Sequence, residues 1–279
     1  MAWSERMHTN VNSRQTIQQD HVVPHFRDQG PYSSRNTSKG ALLNEASRIL
    51  GQLSGGRSLQ EIHREALVGS LLPQKSRNTR RHIWTAINRR YFADTPAWVI
   101  DDLSAAAREH PHSPGFVSLL YLHFALRDRL TYDFVTRIVW SGWLQNNLRT
   151  TRQEVLSFLD EASKDQPQIR GWSNSSRLKL AGNILTALRD FGVLQGVQRK
   201  VITKPDLPLG TAEHLLRILT AQGLKGSQVI RCSDWRLFLR TEEEVAELLR
   251  KLGQFGGIRF ERGGSTVVLE TPTAWSGRQ

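Results

Sequence analysis

Six cations fall within the sixteen residues Lys75-Ser-Arg77-Asn-Thr-Arg80-Arg81-His-Ile-Trp-Thr-Ala-Ile-Asn-Arg89-Arg90. No acid occurs between Glu65 and Asp94, so nothing nearby in the chain neutralises them. Ammonium and guanidinium groups massed in this way neutralise phosphates and release counterions. Lys75, Arg77, Arg80, Arg81, Arg89 and Arg90 are therefore candidate phosphate contacts. Thr85 and Asn88 lie among them, with a hydroxyl and an amide able to approach base edges. Arg177 and Lys179 form a weaker second patch. The plain alternative is a basic face that is merely solvated.

Other chemistry leaves few traces. There is no G-x-x-x-x-G-K-[ST] phosphate loop, and no lysine follows an Asp or Glu at two positions' distance as in D/E-x-K nucleases. His110 and His112 share a Pro-rich loop without the carboxylates or cysteines that a metal would need. His63, His82 and His123 stand singly in helical segments. Ser176-Arg-Leu-Lys179 matches S-x-x-K without its partner motifs. Asp101 and Asp102 are adjacent, so on a helix they point about 100° apart. Cys232 is the only cysteine, which excludes an intrachain disulfide and a cysteine-based zinc site. The expectation is a protein with no catalytic residues, no metal and no cofactor.

The cations need a scaffold. Leu42, Ala46, Ile49, Leu50 and Leu53 make one apolar stripe, predicting a helix over about Lys39–Leu53, capped by Ser38 and stopped at Gly55-Gly56. Ser58-Leu-Gln-Glu61 is a capping box for a second helix with Leu59, Ile62, Ala66 and Leu67 inward. Gly69–Pro73 turns the chain into a basic helix over about Arg77–Phe92. There Ile83, Trp84, Ile87 and Tyr91 share one arc, and Arg77, Arg81, Thr85, Asn88 and Arg89 lie beside or opposite it. Three short helices ending in a basic one match the helix-turn-helix plan.

The remaining segments predict a mostly α fold. Helices are expected from Pro96 to Glu109, Phe116 to Arg127 and Thr131 to Leu148, then from the Thr151-Arg-Gln-Glu154 capping box to Ser163. Another runs from a Ser173 or Asn174 cap to Phe191. A short strand follows over Val197–Thr203, where Arg199-Lys200 reads either as a winged-helix fragment or as a connector. Helices over Thr211–Gln222 and from Thr241 to Leu252 precede a β-hairpin, Ile258–Arg262 with Thr266–Glu270, turned at Gly263-Gly264. The expected organisation is a disordered tail (1–37), a helix-turn-helix-like unit (38–93), a helical bundle (94–165), a C-terminal helical domain with the β-hairpin (166–272) and a tail (273–279).

Bulk properties agree with a polyanionic partner. Lys and Arg total 38 against 26 Asp and Glu, a net charge of +12. Such a balance is also found in proteins that are simply basic and soluble. Arg outnumbers Lys, which suits bidentate phosphate contacts but also follows from a GC-rich genome. No signal-peptide core and no run of 18 apolar residues is present, so no membrane partner and a cytoplasmic location are expected.

Several segments together resemble one family. Ala41-Leu-Leu-Asn-Glu-Ala-Ser-Arg48, Ser76-Arg-Asn-Thr-Arg-Arg81 and Ile87-Asn-Arg-Arg-Tyr91 are similar to the BrxA family of bacteriophage-exclusion (BREX) defence systems. Trp172-Ser-Asn-Ser-Ser-Arg-Leu-Lys179, Leu188-Arg-Asp-Phe-Gly-Val-Leu194 and Ser233-Asp-Trp235 fit the same pattern, over roughly residues 38–270. The resemblance implies a non-enzymatic, NusB-like helical protein that binds double-stranded DNA beside BREX components such as a methylase and an ATPase. It offers no catalytic residue to carry over, and its DNA contacts map only by type, onto the basic helix. The long polar N-terminus exceeds what such a family would carry. Two other readings stay open: an RNA-binding protein of the NusB-like antitermination type, and a scaffold that docks other defence proteins.

Overall fold

The computed structural model describes residues 26–35, 37–53, 55–255, 257–264 and 266–272. Residues 1–25 and 273–279, most of the two expected tails, lie outside them. The fold is mostly helical, with short antiparallel strands towards the C-terminus. The helices are α1 (Leu43–Leu53), α2 (Leu59–Val68), α3 (Arg77–Ile87), α4 (Ala97–Ala106), α5 (Pro114–Leu126), α6 (Arg129–Asp133), α7 (Trp140–Leu144), α8 (Arg152–Ala162), α9 (Asn174–Asp190), α10 (Leu209–Ala221), α11 (Ser227–Ile230) and α12 (Glu242–Gln254). Two π-helical stretches extend this set: Asn88–Phe92 continues α3, and Phe134–Val139 joins α6 to α7.

Three capping boxes form as their sequences require, at Ser58/Glu61, Thr151/Glu154 and Thr241/Glu244. The first helix starts later than its sequence predicts. A 3-10 turn occupies Thr37–Lys39, Gly40 and Leu42 take left-handed backbone, and α1 begins only at Leu43.

Everything is arranged around α5. Ser113 caps it by accepting from the Phe116 N–H, and Pro114 occupies its first turn. Phe116 and every residue from Ser118 to Leu126 is buried, so the helix has no wet face. It is covered by α4, α6, α10 and the Asn88–Phe92 turn. One hydrophobic cluster runs through all these layers, from Phe26 to Phe260.

The end of the expected disordered tail is part of this body. Phe26 and Tyr32 are buried. Arg27 donates to Asp234 at 2.7 Å, and the Tyr32 hydroxyl donates to Asp133 at 2.5 Å. Two aromatics and one arginine in a polar, non-periodic stretch are enough to dock an extended segment, which periodicity does not detect.

β1 (Arg149–Thr150), β2 (Leu194–Gln195) and β3 (Lys200–Ile202) form an antiparallel sheet in the order β1-β3-β2, pairing Arg149 with Val201 and Leu194 with Ile202. β4 (Arg259–Gly263) and β5 (Thr266–Glu270) make the terminal hairpin, Phe260 opposite Leu269.

Polar groups on α5 each find a partner across the core. Ser118 bonds Thr211 at 2.7 Å, Tyr121 donates to the Leu237 carbonyl at 3.0 Å, and the Nε2 atoms of His123 and His214 lie 2.8 Å apart. His214 Nδ1 lies 2.7 Å from Asp102, to which Arg217 also donates. Nδ1–H of His214 therefore faces the carboxylate, its Nε2 accepts, and the shared proton belongs to His123. Burial keeps both imidazoles neutral by lowering their affinity for a further proton.

Two opposed pH effects follow. Burial pushes the Asp128 carboxyl from 3.8 up to about 7, against the Thr131 hydrogen bond and the nearby Arg90 charge. Between those values the fold holds a proton that the unfolded chain releases, so this group's contribution falls as pH rises. The two histidines act the other way: unfolded imidazoles take up protons below their ordinary 6.5, so stability is lost on acidification. Asp128→Asn is expected to remove the first effect and keep the second. Urea midpoints of the variant should rise more steeply than wild type from pH 5 to 7; parallel curves would refute the assignment.

Candidate nucleic-acid interface

The basic stretch is set in place by α1, α2 and α3. Ala46, Ile49 and Leu50 of α1, Ile62 and Ala66 of α2 and Ile83, Trp84 and Ile87 of α3 are buried together. His63 of α2 stacks on Trp84 with ring centroids 4.6 Å apart. Leu72 anchors the turn between α2 and α3, and Gln74 donates to Glu45 of α1 at 2.8 Å.

The six cations then divide. Lys75, Arg77 and Arg81 are exposed, and Arg89 is half-buried. Ser76 is extended at the helix start, but its side chain makes no cap, so the first-turn N–H groups add their partial positive charge to the same end. Thr85 is exposed, although its hydroxyl donates to the Arg81 carbonyl at 2.9 Å. Asn88, half-buried, begins the π-helical stretch.

Arg80 and Arg90 turn inward, which corrects their expected place among the phosphate contacts. Arg80 donates to the carbonyls of Leu67 (2.9 Å), Gln74 (2.5 Å) and Lys75 (2.9 Å), tying the α2–α3 turn to the helix it precedes. Gly69 ends α2 with φ 101°, and a Cβ there would meet the Arg80 guanidinium at 3.1 Å, so this clamp and that glycine go together. Arg90 is fully buried. Its guanidinium lies 4.8 Å from the centre of the Phe124 ring on α5 and donates to the Ala41 carbonyl at 3.2 Å. The periodicity contains the signal for both. Arg80 lies three residues before Ile83 and Arg90 seven after it, which puts both on the apolar arc.

The second patch also divides. Arg177 is ion-paired with Asp160 of α8. Lys179, exposed, borders a cleft of about 1050 Å³ between α8, α9 and the three-stranded sheet. Arg149, Arg152, Arg199 and Lys200 also line it, and none of its described lining residues is acidic. Of these only the Arg199-Lys200 pair attracts notice in the sequence. Arg149 and Arg152 become visible once β1 pairs with β3 and brings residues some fifty positions apart together.

His110 and His112 face each other at 5.5 Å between ring centroids. Among the described residues no three His, Cys, Asp or Glu side chains gather as a metal would require. Burial pushes the Cys232 thiol up, away from the thiolate form. No helix among the described residues is long and apolar enough to cross a membrane.

A family model described as BrxA matches residues 30–218. It starts earlier than the resembling segments and stops short of Ser233-Asp-Trp235. No curated protein matches the chain. Among solved structures, an uncharacterized protein from Magnetospirillum magneticum superposes with a TM-score of 0.59 at 16% identity, over 76% of this chain and 100% of the other. That likeness is one of fold.

The division of the cations can be tested by stability. Arg80→Ala removes hydrogen bonds from a charged donor and is expected to cost about 1.5–3 kcal/mol in urea unfolding. Arg81→Ala should stay within about 0.5 kcal/mol of wild type. Equal effects would mean that Arg80 is not a clamp.

Proposed function

The chain belongs to the BrxA family of BREX phage-defence proteins, and from that premise we propose that it is a non-enzymatic, cytoplasmic double-stranded-DNA-binding accessory working with other BREX components, such as the methylase and the ATPase. One observation carries the reading: Lys75, Arg77, Arg81 and Arg89 remain on the outer side of α3 and its extension, in a stretch without any acid. In a helix-turn-helix reading, α2 would cross the backbone and α3 would lie along the groove. The cations would neutralise phosphates, while Asn88 and Thr85 would approach base edges. Contacts dominated by phosphate give tolerance of sequence.

Four neutralised phosphates correspond to a slope of log K against log salt of about −3.6 for duplex DNA. Arg77→Ala with Arg81→Ala should weaken duplex binding at least tenfold, flatten the slope to about −1.8, and leave thermal unfolding unchanged. Unrelated duplexes should bind alike. An unchanged slope would remove α3 from the interface, and preference for RNA over duplex DNA would favour the antitermination-type reading.

The non-enzymatic part has its own measurement. Plasmid incubated with the protein, a divalent metal, ATP and S-adenosylmethionine should remain uncut and unmethylated, with the ATP intact. Turnover abolished by His112→Ala or Asp206→Ala would overturn it.

A further inference from the structure

The cleft between α8, α9 and the small sheet differs in kind from the face of α3. It is concave, whereas α3 is a convex cylinder suited to a groove. Its charge comes from separate elements: Arg149 from β1, Arg152 from the first turn of α8, Lys179 from α9, Arg199 from the β2–β3 connection and Lys200 from the start of β3. That connection closes tightly at Gly196, whose φ is 93° and where a Cβ would lie 2.1 Å from the Arg199 carbonyl oxygen. The tight turn brings Val197, Gln198 and Arg199 to the rim.

Apolar groups are exposed between these cations. Leu178 is 37% and Val197 73% exposed, and both line the cleft. Large exposed aliphatics beside clustered guanidinium groups suit a ligand with phosphates and uncovered apolar faces. Duplex DNA offers phosphates but keeps its base faces stacked inside. A single strand offers both, and sites for such strands combine a basic groove with aromatic side chains on which bases stack. Here the surfaces are aliphatic, and Asn183 and Gln198, also in the lining, provide amides for base edges. Across Asn183 and Thr186 the cleft leads into a recess along Lys39–Glu45 that includes Asp190. That recess carries Lys39 beside Glu45 and Asp190, with Asp190 paired to Arg189, so the acid-free lining ends there.

We propose that this cleft binds a single nucleic-acid strand, with phosphates on Arg149, Arg152, Lys179, Arg199 and Lys200 and bases against Leu178 and Val197. The ligand class follows from the reading of the chain as a nucleic-acid-binding protein, but the site is separate from α3 and its failure is separately observable. DNA and RNA strands share the chemistry that the cleft recognises.

The experiment uses the full chain with fluorescent 12-mers, as single-stranded DNA, single-stranded RNA and duplex DNA, across a salt series. Arg149→Ala, Lys179→Ala and Arg199→Ala combined should lower single-strand affinity at least tenfold and flatten its salt slope from about −3.5 to about −1.4. Gly182→Leu tests shape without altering charge. Gly182 lies on α9 in the lining, 3.7 Å from the Arg152 guanidinium if given a Cβ, so a leucine there projects into the cleft beside that cation. It too should lower single-strand affinity at least tenfold while keeping an unfolding temperature no lower than wild type, since leucine favours a helix more than glycine does. Arg177→Ala, whose guanidinium is turned to Asp160, should bind strands as wild type does. The α3 double variant should weaken duplex binding at least tenfold and keep wild-type affinity for single strands. Retention of single-strand binding by both cleft variants would overturn the proposal. So would an equal loss of duplex and single-strand affinity, which would make the cleft a contact for the duplex backbone. Loss of duplex binding by neither set would sink the α3 reading and leave the cleft standing on its single-strand arm.

Discussion

A helix with no polar face must be covered on every side, and α5 imposes that demand on the rest of the molecule. Its buried run from Ser118 to Leu126 cannot meet water without exposing a broad apolar surface. The covering elements come from the whole chain: α4 before it, α6 after it, α10 some ninety residues later, and the turn after α3. Each hydroxyl or imidazole on α5 then needs a partner from its cover, because a buried polar group without one is costly. Ser118 with Thr211, Tyr121 with the Leu237 carbonyl and His123 with His214 meet that need. The same demand draws Arg90 inward, to lie over Phe124 instead of reaching outward from α3.

Net charge is therefore a poor measure of binding surface here. Several arginines work as internal fasteners. Arg27 holds the N-terminal segment to Asp234, Arg80 binds the α2–α3 turn, Arg127 donates to the carbonyls of Ala93 and Asp94, and Arg217 bonds Asp102 above the Trp98 ring. The planar guanidinium suits this work, since it reaches several carbonyls at once and lies flat on aromatic rings. Among the cations that remain outward, those along α3 and its extension lie in an acid-free stretch, and those of one cleft line it without an acidic neighbour in the lining.

Local signals in the sequence were legible where local physics decides. The capping boxes at Ser58 and Thr151 and the terminal hairpin stand close to where the patterns place them. The apolar arc of α3 buries as its spacing requires. Arg80 and Arg90 have the residue type of a phosphate contact but the wheel position of the apolar arc, and position decides where they point. The docked segment around Phe26 and Tyr32 carries no period, so only its tertiary contacts reveal it. The cleft was legible least of all. Its cations are spread from Arg149 to Lys200, and their meeting depends on a two-residue strand, β1, that no pattern marks.

The route by which α5 is covered also sets a schedule during synthesis. His123 waits for His214, 91 residues later, and Tyr121 for Leu237, 116 residues later. At ribosomal speeds of about 5–20 residues per second, that interval is on the order of ten seconds. Throughout it the most apolar helix of the protein has emerged without α10. The contacts that finish the core are among the most distant in the chain, so loop closure precedes their reward and slows folding. Until that last cover arrives, the nascent chain carries an apolar helix whose faces are not yet all buried, the condition in which partly folded chains are prone to associate.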